Sequence, residues 1–339
     1  MTSRDVTRPI CIIGLGLIGG SLLRDLAAHG HAVYGFNRST SGTRKATKEG
    51  FEVSNDLVET LRRAEADGAL IVLAVPMPAV AGLLDALAEH APSCGFTDVV
   101  SVKAEVYALV KERGMEDRYV GGHPMAGTAE SGWSASRAGL FRRAAWVITF
   151  DHAVDTEGEV PQEWIELWTD VVRMIIITGA EAIPARVDRH DAAVARISHL
   201  PHILAETLAV VGDNGGALAQ SLAAGSFRDA TRVASTEPEL VRAMCETNAP
   251  ALLTALDEAL ELLQDARASL ASETSDLSEL VDAGYRSRVR FDAREGNRSE
   301  SVSPVKISSR PVLRLHPGGE GWVNQLIQAE SLGGRIEVF

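Results

Sequence analysis

Cysteine is scarce. The 339 residues hold three, Cys11, Cys94 and Cys245, an odd number set far apart. That spacing excludes a disulfide framework, gives no zinc-ligand pattern and suits a reducing cytoplasm. Basic charge is short as well: 33 Lys and Arg stand against 46 Asp and Glu, a net charge of −13. An acidic chain is a poor partner for nucleic acid or an acidic membrane, although a local basic pocket can still take a small anion. No apolar run approaches 18 residues and the N-terminus lacks an apolar signal segment, so neither a membrane span nor secretion is expected. Repeats and coiled-coil heptads are missing too. What remains is a globular chain long enough for two domains.

The first 180 residues alternate short apolar runs with helical stretches. That is the pattern of a mostly parallel sheet with helices on both faces, an α/β domain. After strands at 10–13 and 31–36, further strands are expected at 69–75, 99–102, 120–122, 146–150 and 174–178. Residues 151–161 are polar and read as a surface loop. From Asp188 to Glu279 the chain is rich in alanine and leucine with helical periodicity, an all-α second domain. Long apolar helix faces of this kind often cover a second copy, so a homodimer is expected. Residues 285–310, rich in Arg, Ser and Glu, read as an irregular linker. The tail regains pattern, with a strand at 312–315, a helix at 321–332 and a strand at 335–339. The expected division is therefore 1–180, 181–284 and 285–339.

One stretch near the front carries chemistry by its spacing. Ile12-Ile13-Gly14-Leu15-Gly16-Leu17-Ile18-Gly19-Gly20-Ser21 ends a strand and opens a helix. In a G-x-G-x-x-G of this kind Gly14 makes the tight turn, Gly16 lets the backbone approach a pyrophosphate, and Gly19 lets helix pack on strand. The first helical amides then face the anion. A glycine-rich turn with no ligand is the competing reading. NAD-type sites place a carboxylate after the second strand, but here the chain reads Asn37-Arg38-Ser39. Nothing there repels a 2′-phosphate and Arg38 can pair with one, which favours NADP and leaves NAD possible.

Ser101 and Lys103 of Val99-Val100-Ser101-Val102-Lys103 fall at a strand end on the ligand side of such a sheet. His123 of Gly121-Gly122-His123-Pro124 falls at the next, where a histidine can take a proton near neutral pH. In the helical region Asp188-Arg189-His190-Asp191 precedes Ser198-His199-Leu200-Pro201-His202. His199 and His202 share a helix face, roughly, but no third ligand accompanies them. They read as one packed histidine and one that bonds substrate, and no metal is expected. Arg228 and Arg232 lie in the small-residue segment 223–234; Asp229 is the natural partner of Arg228, and Arg232 is placed to hold a carboxylate.

Together these segments resemble the prephenate/arogenate dehydrogenase family of tyrosine biosynthesis. The ordered matches are G-L-G-L-I-G-G-S, V-V-S-V-K, G-G-H-P-M-A-G-T, H-D-A-A-V-A-R-I-S-H-L-P-H and G-S-F-R-D-A-T-R-V-A, between Ile10 and Leu280. G-T-A-E-S-G-W is similar to actinobacterial members, which leans the substrate toward arogenate. The resemblance implies a Rossmann domain followed by an all-α dimerisation domain and a short C-terminal tail. It implies a nicotinamide cofactor over Gly14, Gly16, Leu17, Ile18, Gly19, Asn37, Arg38, Ser39, Ala74, Val75, Pro76 and Lys103. It implies that His123 takes the proton of the substrate's 4-hydroxyl, that Ser101 bonds this hydroxyl and His123, and that His202, Arg232 and Thr128 bind substrate.

Two departures stand out. Many relatives carry a glutamate after H-P-M-A-G-T; this chain has Ala129, with Glu130 one place along. Side-chain selectivity and tyrosine feedback therefore do not carry over. The tail after Tyr285 is also too short for the regulatory ACT domain of some relatives. Two other classes compete: a different Rossmann-plus-helical reductase, which should lack the S-H-L-P-H and F-R-D-A-T-R pair, and a non-catalytic cofactor sensor, which should lose His123.

Overall fold

The computed structural model describes residues 6, 8–128, 130–157, 159–295 and 310–339. They divide into two compact units, Met1–His190 with Pro311–Phe339, and Asp191–Arg310. The first is built on β1 (Ile10–Ile13), buried at every position. Ile10 and Ile12 enter one core cluster, Cys11 and Ile13 the other. Successive strand residues point to opposite faces, so a strand apolar on both faces belongs at the centre of a parallel sheet.

The chain continues through α1 (Leu17–Ala28), β2 (Val33–Phe36), α2 (Thr40–Lys48), β3 (Val53–Ser54), α3 (Leu57–Asp67) and β4 (Leu70–Leu73). Then come α4 (Val80–His90), β5 (Phe96–Asp98), α5 (Ala104–Lys111) and β6 (Tyr119–Val120). The strands pair in parallel in the order β3-β2-β1-β4-β5-β6. Ile13 is level with Phe36 and Leu73, so the chain leaves β1, β2 and β4 at one edge, at Gly14, Asn37 and Ala74. Between β1 and β4 the order of strands reverses, and open α/β sheets bind ligands at such a carboxyl edge.

A second sheet holds β7 (Gly122–Pro124), β8 (Ala145–Ile148) and β9 (Glu181–Pro184), with β7 antiparallel and β9 parallel to β8. Between β8 and β9 lie α6 (Asp151–Asp155) and α7 (Gln162–Ile177). Several expectations are corrected here. Residues 174–177 are helix, not strand: Trp164, Leu167, Trp168, Val171, Val172 and Ile175 are buried along α7 at helical spacing. That face overrides the β-branched run at its end. The strand expected at 99–102 stops at Asp98, whose carboxylate accepts the Val100 amide at 2.7 Å and turns the chain out of the sheet. Val100 and Val102 are apolar because they are buried beyond that turn. The loop expected at 151–161 opens with α6, whose His152 and Ala153 are buried.

After α8 (Val187–Val194) come α9 (Leu200–Asn214), α10 (Gly216–Leu222), α11 (Gly225–Thr231), α12 (Pro238–Thr247), α13 (Ala249–Ala271) and α14 (Ser278–Glu295). The first part of the expected linker is thus helical. Its Glu, Arg and Ala are good helix formers, and low apolar content excludes core contact rather than helix; residues 296–309 lie outside the described residues. The core cluster of this unit is small: Val241, Cys245 and Leu252, with Leu200, Ile203 and Met244 against them.

The tail belongs to the first unit. β10 (Val312–Leu315) and β11 (Arg335–Val338) pair in parallel, joined through α15 (Trp322–Leu332). Trp322 is buried against Trp164 and Trp168, with ring centroids 6.5 and 5.5 Å apart. Trp322→Ala is expected to lower stability by about 3–5 kcal/mol, read from the urea midpoint. A change within about 0.5 kcal/mol would make the tail a surface appendage.

Candidate active site

The glycine turn has the shape that a dinucleotide needs. Gly14 has φ +101°, and a β-carbon there would lie 2.4 Å from the Ala74 carbonyl oxygen, so only glycine fits. A β-carbon on Gly19 would lie 1.9 Å from the Gly14 carbonyl oxygen, which fixes close packing of α1 on β1. Gly16 instead faces open space. There α1 begins without a side-chain cap and without an acidic residue in its first turn, which includes Leu17 and Ile18. The first-turn amides are therefore left for an anion from outside, and the residues fit a pyrophosphate. Ala74, Val75 and Pro76 leave β4 beside this turn, with Ala74 and Val75 in reach of Gly14.

A cleft of about 230 Å³ continues from Leu15 and Gly16 to Asn37, Ser39, Ser41, Gly42 and Lys45. Its other wall is Ser131–Ser134. Ser39 caps α2, its Oγ accepting the Gly42 amide at 3.2 Å. Lys45 reaches across and donates to Ser134 Oγ at 2.8 Å. Arg38 is exposed and does not line this cleft, so Lys45 is its cationic side chain. Sequence reasoning missed Lys45; a lysine one turn inside the helix after the second strand was the available signal. Trp133 anchors the wall. Its ring lies 4.3 Å from the Arg24 guanidinium carbon, and its Nε1 donates to Glu49 at 2.9 Å. Arg24, paired with Glu49 Oε2 at 2.7 Å, and then Trp133 hold the Glu49 carboxyl below its ordinary value. Ala129 lies outside the described residues. Thr128 and Glu130 are exposed, the Thr128 hydroxyl accepting the Glu130 amide at 3.3 Å.

At the end of β5 a buried charge pair organises the next segment. Lys103, expected on the cofactor surface, is fully buried. Its ammonium pairs with Asp98 Oδ1 and donates to the Gly122 carbonyl at 2.8 Å. Asp98 Oδ2 accepts the Tyr119 hydroxyl at 2.6 Å. Burial first, and then the Asp98 charge, push the Tyr119 phenol well above its ordinary value. Gly122 has no room for a side chain, since a β-carbon would meet the Asp98 carbonyl oxygen at 2.7 Å. β7 therefore lies tight against the carboxyl end of β5, and half-buried Ser101 sits in the turn that follows β5. His123 is the next residue after Gly122, half-buried, level with Val147 of β8.

His123 Nδ1 meets His190 Nε2 at 2.9 Å. His190 is buried on α8. The start of that helix is fixed from two sides. Asp151 accepts the Val187 amide at 3.2 and 3.1 Å. Arg186 donates to Glu330 Oε2 from Nε at 3.0 Å and Nη2 at 2.5 Å, while its amide donates to Oε1 at 2.6 Å.

The second unit brings two expected substrate residues together. His202 on α9 is half-buried, and burial pushes its imidazole below the ordinary value; Arg232 adds to this and Glu206 opposes it. Arg232 is exposed in the turn after α11. His199 is the packed histidine, buried, with Nδ1 accepting from Asn248 Nδ2 at 3.1 Å. Arg228 and Asp229 make no ion pair among the described residues, because adjacent positions on α11 do not face each other.

Comparison with known proteins fits this geometry. Residues 22–175 match the nucleotide-binding domain of prephenate dehydrogenase, and residues 186–283 match its dimerization domain. A Zymomonas mobilis cyclohexadienyl dehydrogenase is 33% identical over 80% of this chain and 91% of its own length. The chain belongs to the prephenate dehydrogenase family. A solved Corynebacterium glutamicum structure carrying the prephenate dehydrogenase assignment is 61% identical, with TM-score 0.92 over 99% of this chain and 100% of that one. A Synechocystis arogenate dehydrogenase structure is 29% identical, with TM-score 0.71 over 84% and 99%. The family consists of NAD(P)-dependent oxidoreductases, so the chain is an enzyme that uses a nicotinamide cofactor. Among the described residues no helix is long and apolar enough to cross a membrane.

The cap on α8 titrates near neutrality. Burial pushes the Asp151 carboxyl up to about 7, against the hydrogen bond from Val187. The folded chain thus holds a proton that the unfolded chain releases near pH 4. Stability from this group is full below about pH 4 and is lost as pH rises to about 7. Asp151→Asn, which keeps an acceptor oxygen, is expected to flatten that part of the profile. Urea midpoints at both ends of the range read it, and parallel profiles for the two proteins would exclude Asp151 as the source.

Proposed function

We propose that this enzyme oxidatively decarboxylates a cyclohexadienyl substrate, prephenate or arogenate. The observation that carries the reading is His123 on β7, a strand of the second sheet that lies tight against the carboxyl end of β5, in the sheet whose β1 and β4 ends form the glycine-turn cradle. When bound, the nicotinamide supplies the acceptor for the hydride lost from the carbinol carbon. His123 takes the hydroxyl proton, and Ser101 in the adjoining turn bonds the same hydroxyl. Arg232 pairs with a substrate carboxylate and His202, neutral at physiological pH, bonds the side chain. Loss of CO₂ then makes the ring aromatic, and the proton returns to the oxygen of the new phenol. Because aromatisation drives the step, the chain has only to position groups and move one proton.

His123→Asn is expected to keep cofactor binding and lose about 10²–10⁴-fold in kcat; near wild-type turnover would overturn the role. Arogenate is our preferred substrate, a reading supported by the actinobacterial character of the sequence. In the same assays a clearly higher kcat/KM for prephenate would reverse that preference.

NADP is our preferred cofactor. The reading is supported by the start of α2, where Ser39, Ser41 and Lys45 line one cleft and no carboxylate occupies the end of β2. Arg38 adds positive charge at its margin. Lys45→Ala is expected to weaken NADP binding on the order of tenfold, the worth of one charge-assisted hydrogen bond, and to leave NAD binding nearly unchanged. Equal losses for both would remove Lys45 from 2′-phosphate recognition.

The same proposal makes the enzyme a homodimer through its second unit. The support is the description of the matched dimerization domain, together with exposed Leu218, Leu222, Leu240, Leu253 and Leu263 around a small core. Three buried free thiols support a cytoplasmic setting.

A further inference from the structure

The His123–His190 contact has only one arrangement compatible with base catalysis. The two rings meet edge to face, centroids 5.1 Å apart, with Nδ1 of His123 2.9 Å from Nε2 of His190. One nitrogen must donate. If His190 donated, the His123 proton would sit on Nε2 and its lone pair would be spent on His190. The ring would then have no basic nitrogen for a substrate. If His123 donates from Nδ1, Nε2 carries the lone pair and can accept a proton. The resulting imidazolium keeps its bond to a neutral acceptor. This is the orienting logic of a catalytic triad, with an imidazole where a carboxylate is usual.

We infer that His190 is the positioning residue of the reaction, holding His123 in its Nδ1–H tautomer and supporting the charge it gains. The inference rests on the reading of His123 as proton acceptor. His190 is suited to the task. It is 3% exposed, and its own amide donates to the Arg186 carbonyl at 2.8 Å on a helix start tied down by Asp151 and Glu330. Other ionisable groups on the surrounding elements are Asp98, Lys103 and Tyr119 behind Gly122, and Asp151, Arg186 and Glu330 at the start of α8. α8 itself adds Asp188, Arg189 and Asp191. The Asp98–Lys103 pair is internally compensated, as is Arg186 with Glu330. A shift caused by losing the acceptor at His190 is thus separable from them.

The test compares His190→Phe, His190→Asn and His123→Asn with the wild-type enzyme. It measures kcat across pH with both substrates, and NADPH binding by fluorescence. His190→Phe keeps a ring and removes the acceptor; it is expected to lose about ten- to a hundredfold in kcat with NADPH binding intact. The acid limb of its profile should move to lower pH, because His123 binds its proton less tightly. His190→Asn restores an acceptor oxygen and should recover much of the rate. Wild-type kcat and an unmoved acid limb in His190→Phe, with His123→Asn inactive, overturn this inference alone. Full activity of His123→Asn overturns the parent reading as well. His190→Asn as slow as His190→Phe also overturns it, since the acceptor would then not matter. Should His190→Phe fail to fold, ¹⁵N-histidine spectra of the wild-type enzyme decide: an Nε2–H tautomer at His123 excludes the role.

Discussion

A charge pair sealed from water at the end of β5 fixes the segments that carry Ser101 and His123. Buried ions are costly unless every lone pair and proton has a partner. Here Asp98 takes the Lys103 ammonium, the Val100 amide and the Tyr119 hydroxyl, while Lys103 also donates to the Gly122 carbonyl. These partners come from β5, the turn after it, the start of α5, β6 and β7. Satisfying the pair therefore fixes all of these segments at once. The turn carrying Ser101 and the strand carrying His123 become neighbours as a consequence of solvating two charges with protein.

The other approach to His123 comes from the tail. Trp322 packs on α7, Glu330 of the same helix grips Arg186, and Asp151 caps the Val187 amide. Each contact restrains the start of α8, and His190 stands one turn along. Two separately braced segments of the first unit thus meet at the 2.9 Å contact of His123 with His190. Proton transfer is sensitive to displacements well below an ångström. The tail, far along the chain, thus braces the helix that carries His190.

Features set by local spacing were legible in the sequence. The turn was legible because its spacing is fixed: Gly14 and Gly19 answer steric demands where the turn, α1 and the end of β4 meet, while Gly16 leaves the approach open. The central strands were legible for a similar reason: burial on both faces leaves an unbroken apolar run. Features that depend on a distant partner were not. The run at 174–177 has strand-forming residues, but Trp164 and Trp168 set its helical face. Lys103 looks like a ligand-side cation until Asp98 and Tyr119 are seen to enclose it. His190 stood in a charged cluster with nothing nearby to give it a role, since its partner is His123, far earlier in the chain. Lys45 was passed over for Arg38, which is nearer in sequence but exposed beyond the cleft.

The acidity of the chain bears on how it meets anions. A net charge of −13 repels phosphates and carboxylates at long range, but that field fades within about 8 Å at physiological ionic strength. Contact recognition has to be made locally. At the glycine turn the local donors are the uncapped first-turn amides of α1, and no side-chain cation is required. At the start of α2 they are hydroxyls and Lys45, whose ammonium already rests on Ser134. The backbone donors cannot be mutated away and suit the part common to all dinucleotides. The side-chain donors can be exchanged one at a time, and on the reading proposed above they meet the part that differs. Division of the cleft into a fixed backbone cradle and an adjustable rim follows from placing two helix N-termini at one sheet edge on an otherwise acidic protein.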